Sequence, residues 1–198
     1  MPKVGIEPIR KKQLIEATLR SINEHGLQGT TINTISHFSG MSSGIISHYF
    51  GGKQGLIEAT VRHLLEQLKT SLLQHVSLTE ASPQQRLMMI VESNFTNIQQ
   101  SDAATRTWLS FWAQAIHDPG LARLQKINSQ RLLSNLRYSY KKLMPLDKAS
   151  DAAKMTAAMI DGFWLRSALS NSSTVDFREA EALCKHFIDT LILKYGEH

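Results

Sequence analysis

The chain has a single cysteine, Cys184, in 198 residues. One thiol excludes an internal disulfide and a thiolate zinc site. Set in a helical apolar pattern, it reads as a small buried hydrophobe. No apolar run approaches the roughly 18 residues that a membrane-crossing helix needs. The opening segment, MPKVGIEPIRKK, has no apolar core of signal-peptide length. These absences point to a cytosolic protein with no membrane partner. Sustained two-residue alternation, the mark of strands, is missing too, as are internal repeats and low-complexity segments. The eight histidines are scattered. None forms an H-x-x-x-H pair or lies near a carboxylate at metal-ligand spacing, so neither a metal nor a cofactor is expected. No nucleophile motif stands out among the serines. A phosphate-binding loop would need G-x-x-x-x-G-K followed by Ser or Thr, whereas Lys53 precedes Gln54 and no strand leads into it. An enzymatic reading finds no residues to rest on.

What is present is a foldable composition, 42% hydrophobic and 20% charged, well outside the disordered range. The net charge of +5 is compatible with a polyanionic partner. Lys3, Arg10, Lys11 and Lys12 cluster before the first apolar periodicity settles. They read equally as a basic arm following a phosphate backbone or as a solvated terminus.

Helical periodicity runs through the rest of the chain and predicts an all-α fold of about nine helices. The first spans residues 9–24 and stops at His25-Gly26. Thr30-Thr31 then offers an N-cap for the short segment TINTISHF, ended by Gly40. Ser42 caps a second short segment, SGIISHYF, ended by Gly51-Gly52. A longer helix follows over 53–76. Pro83 opens a helix over 84–99, with Leu87, Val91, Asn94 and Ile98 on one face. Further helices are predicted over 101–117, 121–144, 147–169 and 176–195, with a sharp break at Asp118-Pro119-Gly120. The contrast between short glycine-punctuated helices and long ones suggests a front domain of residues 1–65 and a second domain of residues 66–198.

Two short helices joined by a glycine-containing turn form a helix-turn-helix pattern. Ile32 and Ile35 on the first, with Ile45 and Ile46 on the second, can bury one side of each. Gly40 permits a left-handed turn. The outer face of the second helix then presents Ser42, Ser43, Gly44, Ser47, His48 and Tyr49. Small polar groups let a helix lie close to base edges, and their hydroxyl and imidazole groups can bond to bases or phosphates. Lys53 opens the next helix, where a cation and free backbone amides suit a phosphate.

The stretch SGMSSGIISHYFGGKQGL, preceded by TTINTISHFSG, resembles the DNA-binding domain of the TetR family of bacterial repressors. MPKVGIEPIRKKQLIEATL and GIISHYFGGKQGLI resemble, more narrowly, the branch that represses glycine betaine synthesis in response to choline. The specific matches lie mainly in residues 1–65. The resemblance implies operator contacts from Thr31 and from Ser42 to Tyr49, with Lys53 on the DNA backbone. Many family members carry Lys where this chain has Ser43, which leaves more of the affinity to the N-terminal segment. The resemblance also implies a homodimer through the last two helices, on a near-palindromic operator with half-sites about one DNA turn apart or a multiple of it. Ala153, Ala157, Ile160 and Trp164, then Leu183, Phe187 and Leu191, are a candidate dimer stripe or an internal core stripe.

A repressor needs a signal. Trp108 and Trp112 are four apart and share a helix face, as do Asp161 and Trp164, three apart. Asn94 interrupts an apolar stripe, and Tyr138 lies on the seventh helix. Aromatic faces with a carboxylate suit a quaternary ammonium, which is held by ring quadrupoles at about 0.5–2 kcal/mol per contact. Tryptophans at such spacing also build ordinary cores. The resemblance implies choline as the small-molecule effector, with Asn94, Trp108, Trp112, Tyr138, Asp161 and Trp164 as candidates to hold it and Glu92 as a reserve carboxylate. A regulator of another process, such as efflux, with a different cationic or lipophilic ligand fits the same aromatic set.

Overall fold

The computed structural model describes residues 5–77, 81–170 and 174–196. Among these residues there are nine α-helices and no strand. They form two compact units. The first runs to Glu66 and includes Ser101–Leu124; the second comprises Gln67–Gln100 and Gln125–His198.

In the first unit, α1 (Ile6–Gly29), α2 (Ile32–Ser39), α3 (Ser43–Phe50) and the start of α4 (Lys53–Ser77) surround a core of Leu14, Ala17, Ile35, Ile46 and Leu56. Leu14, Ile35, Ile46 and Leu56 have no exposed surface. Burying each such side chain is worth about 1.5–3 kcal/mol. Ile32 and Ile45 cover the edge of this core, so all four predicted isoleucines pack inward. Within the same unit α6 (Asp102–Ala115) packs on α1.

The glycine stops fall where the sequence places them. Gly26 leaves the helical region (φ 67°, ψ 173°), although one more turn carries α1 to Gly29. Gly40 (φ 66°) and Gly51 (φ 70°) are both left-handed. Thr31 caps α2 in a reciprocal box: its hydroxyl accepts from the Thr34 N–H, and Thr34 Oγ1 accepts from the Thr31 N–H. Ser42 occupies the cap position of α3 but makes no side-chain cap bond.

At the N-terminus the structure departs from the sequence reading. Helix α1 begins at Ile6, so Arg10, Lys11 and Lys12 stand on a helix rather than an arm. Glu7 in its first turn suits the positive end of the helix dipole.

In the second unit, α5 (Pro83–Asn94), the later part of α7 (Pro119–Tyr140), α8 (Leu146–Leu169) and α9 (Thr174–Tyr195) build the core. Pro83 stands at the helix start behind a Ser82–Gln85 capping box, as expected. Helix α5 nevertheless ends at Asn94, well short of residue 99. The Phe95 N–H bonds back to the Glu92 carbonyl and tightens the last turn. Ile98 consequently stands exposed instead of extending the stripe. Ala153, Ala157, Ile160 and Trp164 on α8, and Leu191 on α9, are buried within the unit itself. They are core, not a free dimer surface; of that stripe only Leu183 is exposed. Cys184 is buried, and desolvation followed by the Glu181 charge pushes its thiol up to about 12.

Candidate DNA-binding surface and effector residues

The second helix of the helix-turn-helix is positioned by its buried side. Ile46 enters the core and Ile45 and Tyr49 lean on it, which turns Ser42, Ser43, Gly44, Ser47 and His48 outward, all exposed. Tyr49 is therefore partly structural. The Lys11 ammonium lies 5.8 Å from its ring centroid and is itself paired with Glu7 at 2.7 Å. The outward face carries no carboxylate, and a Cβ on Gly44 would meet nothing closer than Ser42 Oγ at 3.9 Å. A surface can approach this helix closely.

Three elements frame that face. Thr31 is exposed at the start of α2. Lys53 stands at the start of α4, half-buried, with no carboxylate partner among the described residues. Arg10 is exposed on α1, also without an ion pair among the described residues. Lys3 lies outside the described residues.

One residue that positions this site escaped the sequence reading. A Cβ on Gly55 would fall 1.9 Å from the carbonyl oxygen of Phe50, so the end of α3 runs directly onto the first turn of α4. Its signal was the third glycine of GGKQG. Asp118 was read only as a break. It caps α7 by accepting from the Leu121 N–H at 2.8 Å, and its other oxygen accepts from the Gln54 amide at 2.8 Å.

The effector candidates divide between the units. Trp108 and Trp112, on α6, belong to the first. Their ring centroids are 6.2 Å apart, so the predicted shared face exists. Trp108 is buried against Phe111, while Trp112 keeps exposed ring surface. Asn94, Tyr138, Asp161 and Trp164 belong to the second unit. Asn94 turns its amide back onto the Ile90 carbonyl of its own helix at 2.8 Å. Trp164 is buried, with its ring centroid 6.1 Å from that of Phe177.

Tyr138 is half exposed, but three cations already surround its ring: Lys142 at 4.6 Å, Lys141 at 5.2 Å and Arg86 at 5.4 Å. The hydrogen bond from Lys142 and then its charge lower the phenol's pKa. A cationic ligand would meet repulsion there, which separates Tyr138 from the other aromatics. Glu92 is occupied as well, paired with Lys185 at 2.7 Å. Nearby in the same unit a cavity of about 680 Å³ is lined by Lys141, Lys142, Met144, His186 and Asp189 among others. No effector candidate lines it.

Asp161 differs from every other carboxylate described. It is exposed to solvent, yet neighbouring protein desolvates it enough to push its carboxyl up to about 6. No cation or hydrogen-bond donor offsets that cost among the described residues. Gly162 beside it faces open space. The described residues contain no cluster suited to a metal ion, and no helix among them is long and apolar enough to cross a membrane.

A helix-turn-helix with a polar, carboxylate-free second helix, joined in one chain to a second helical unit, defines a DNA-binding regulator. Comparison with known proteins agrees. Residues 14–60 match the family model "Bacterial regulatory proteins, tetR family", and residues 83–193 match "BetI-type transcriptional repressor, C-terminal". The chain is 47% identical over 192 residues to the HTH-type transcriptional regulator BetI of Burkholderia cenocepacia (strain HI2424), covering 97% of this chain and 98% of that one. It is 48% identical over 189 residues to the HTH-type transcriptional regulator BetI of Klebsiella pneumoniae (strain 342), covering 95% and 96%. Its fold matches a transcriptional regulator from Saccharomonospora viridis solved in complex with choline, with TM-score 0.74 and 18% identity over 96% of this chain and 100% of that one. The chain belongs to the TetR family of transcriptional repressors, which are DNA-binding regulators and not enzymes, and its C-terminal region is of the BetI type.

Proposed function

We propose that this repressor controls the genes that convert choline to glycine betaine under osmotic stress, and that choline is its effector. It acts in the cytoplasm, bound as a homodimer to a near-palindromic operator. Arg10, Thr31, Ser42, Ser43, Gly44, Ser47, His48 and Tyr49 face the DNA, with Lys53 on the backbone; Lys3 is assigned the same role from the sequence. Residues 1–65 form the DNA-binding domain and 66–198 the sensing and dimerising one. The dimer forms through α8 and α9, whose exposed Met155, Leu183 and Leu193 are free for a second copy.

The observation that carries the choline reading is Asp161, an exposed carboxylate with no cation or hydrogen-bond donor of its own among the described residues. A quaternary ammonium neutralises such a group without demanding a hydrogen bond, and aromatic faces complete its binding. Trp164 is one turn away on the same helix. Choline acts through its different affinity for two dimer conformations. A coupling of about 1–3 kcal/mol changes operator affinity roughly 5- to 150-fold.

Titration of the purified protein with choline tests this, followed by tryptophan fluorescence and calorimetry, with tetramethylammonium and ethanolamine alongside. Saturable binding of choline and tetramethylammonium, with little of ethanolamine, is expected. Absence of choline binding by both methods would leave a BetI-type repressor of another process, with a different cationic or lipophilic effector.

A further inference from the structure

Beneath the start of α2 lies a cluster of hydroxyls joined by hydrogen bonds. The Thr30 hydroxyl donates to the Gly26 carbonyl at 2.8 Å. Ser21, fully buried on α1, donates to Thr30 Oγ1 at 3.2 Å. Ser21 Oγ and Thr34 Oγ1 are 2.8 Å apart. Either can donate in that pair, because the Thr34 hydroxyl also has the Thr31 carbonyl oxygen as an acceptor at 2.9 Å. Thr34 Oγ1 in turn accepts from the backbone N–H of Thr31 at 2.9 Å. The contacts link the Thr31 N–H, Thr34, Ser21, Thr30 and the Gly26 carbonyl in one connected network. Its inner members are shielded from water, since Ser21 and Thr30 have no exposed surface.

The Thr31 hydroxyl is the exception. Its oxygen accepts from the Thr34 N–H at 3.1 Å. Its own hydrogen has one internal acceptor within reach among the described residues, Thr34 Oγ1 at 3.4 Å, at the long limit for an O–H donor. Thr31 is exposed, so that hydrogen is available to an outside acceptor.

We propose that Ser21 and Thr34 are positioning residues for DNA binding: they lock the Thr31 hydroxyl and the first amides of α2 as donors toward one DNA phosphate. Ser21 never touches DNA. It acts by holding Thr34 and hence the cap, through a contact between residues 13 apart that no helix propensity supplies. The inference rests on the reading that Thr31 faces the operator.

The test pairs protein variants with altered DNA. A duplex is first selected from a random-sequence pool by the wild-type protein. It is then remade as a series, each member carrying one uncharged methylphosphonate. Affinities are measured for wild type, Thr31→Val, Ser21→Ala, Thr34→Val and Thr34→Ser, each checked for folding by circular dichroism and thermal melting. At one phosphate, neutralisation should weaken wild type and Thr34→Ser about tenfold, the worth of a hydrogen bond to a charged group. It should cost Thr31→Val, Ser21→Ala and Thr34→Val little further. General loss of fold would weaken binding to every duplex alike and erase no single position. Should Thr31→Val lose the sensitive phosphate while Ser21→Ala and Thr34→Val keep it, the positioning role is wrong and the DNA surface stands. Should Thr31→Val keep its sensitivity at every phosphate, Thr31 is not a contact and the underlying reading fails. The Thr34→Val and Thr34→Ser pair decides the matter even if Ser21→Ala fails to fold.

Discussion

The carbonyl oxygen of Phe50 occupies the space that a side chain on Gly55 would need, 1.9 Å from where its Cβ would stand. This single approach sets how the second helix of the DNA-binding motif meets the helix behind it. Gly55→Ala should force the two apart and destabilise the protein by about 1–3 kcal/mol, the usual range for overpacking. Gly44→Ala is the control, because its Cβ meets only Ser42 Oγ, at an ordinary contact distance of 3.9 Å. Alanine there should stabilise the helix by about 0.5–1 kcal/mol while weakening operator binding through lost close approach. Thermal melts and operator titrations of the two variants check both signs.

Lys53 and Tyr49 should separate by salt dependence. Lys53→Ala removes one phosphate charge, so operator affinity should fall across sequences and the slope of log affinity against log salt should shrink by about 1. Tyr49 also supports the core, so Tyr49→Phe isolates its hydroxyl from its packing. That variant should keep its melting temperature, weaken operator binding and leave the salt slope unchanged. Fluorescence anisotropy at a series of salt concentrations reads both. Unaltered affinity in Lys53→Ala and in Tyr49→Ala would refute the placement of the DNA surface.

Asp161 makes two predictions of opposite sense. Its folded pKa, about 6, lies above the ordinary aspartate value of 3.8. The folded state therefore holds the proton that the unfolded state releases between those values, and stability falls as pH rises through that window. Asp161→Asn should melt at a higher temperature than wild type at pH 7, and the gap should close below pH 4. Choline binding should respond the other way, because the ligand needs the charged form. Wild-type affinity should drop as pH falls through about 6, and Asp161→Asn should bind choline weakly at every pH.

The tryptophans of α6 should separate by burial. Trp108 is core, and Trp108→Ala should cost about 3–5 kcal/mol of stability. Trp112 keeps exposed ring surface, and Trp112→Ala should weaken choline binding while sparing operator binding in its absence. Tyr138→Phe should leave choline affinity unchanged, because the cations around that ring already exclude a positive ligand. Calorimetry on the three variants is sufficient.

The helix-turn-helix was legible because its determinants are local. Gly26, Gly40 and Gly51 mark left-handed or broken positions that few other residues tolerate. The Ile35 and Ile46 pattern recurs within one or two helical turns of its own cap. Less of the effector site could be read this way. Asn94 was placed in a stripe that continues to Ile98, but the helix ends at Asn94. Its amide is taken by the Ile90 carbonyl. Tyr138 looked like a cage ring because spacing cannot show that Arg86, far upstream, reaches the same ring. The alanines of α8 fit a dimer face and a core equally, since a helical stripe records only that one side is covered, not by what.

By itself, then, the sequence determined the order of the helices, most of their glycine boundaries and the polar face of α3, because backbone sterics and 3.6-residue periodicity act over a few neighbouring residues. The tertiary structure alone decided that Ser21 reaches Thr34 and that Asp161 is left without a countercharge. Each of these depends on what another segment of chain brings alongside, and desolvation and hydrogen bonds between helices exist only once those segments have packed.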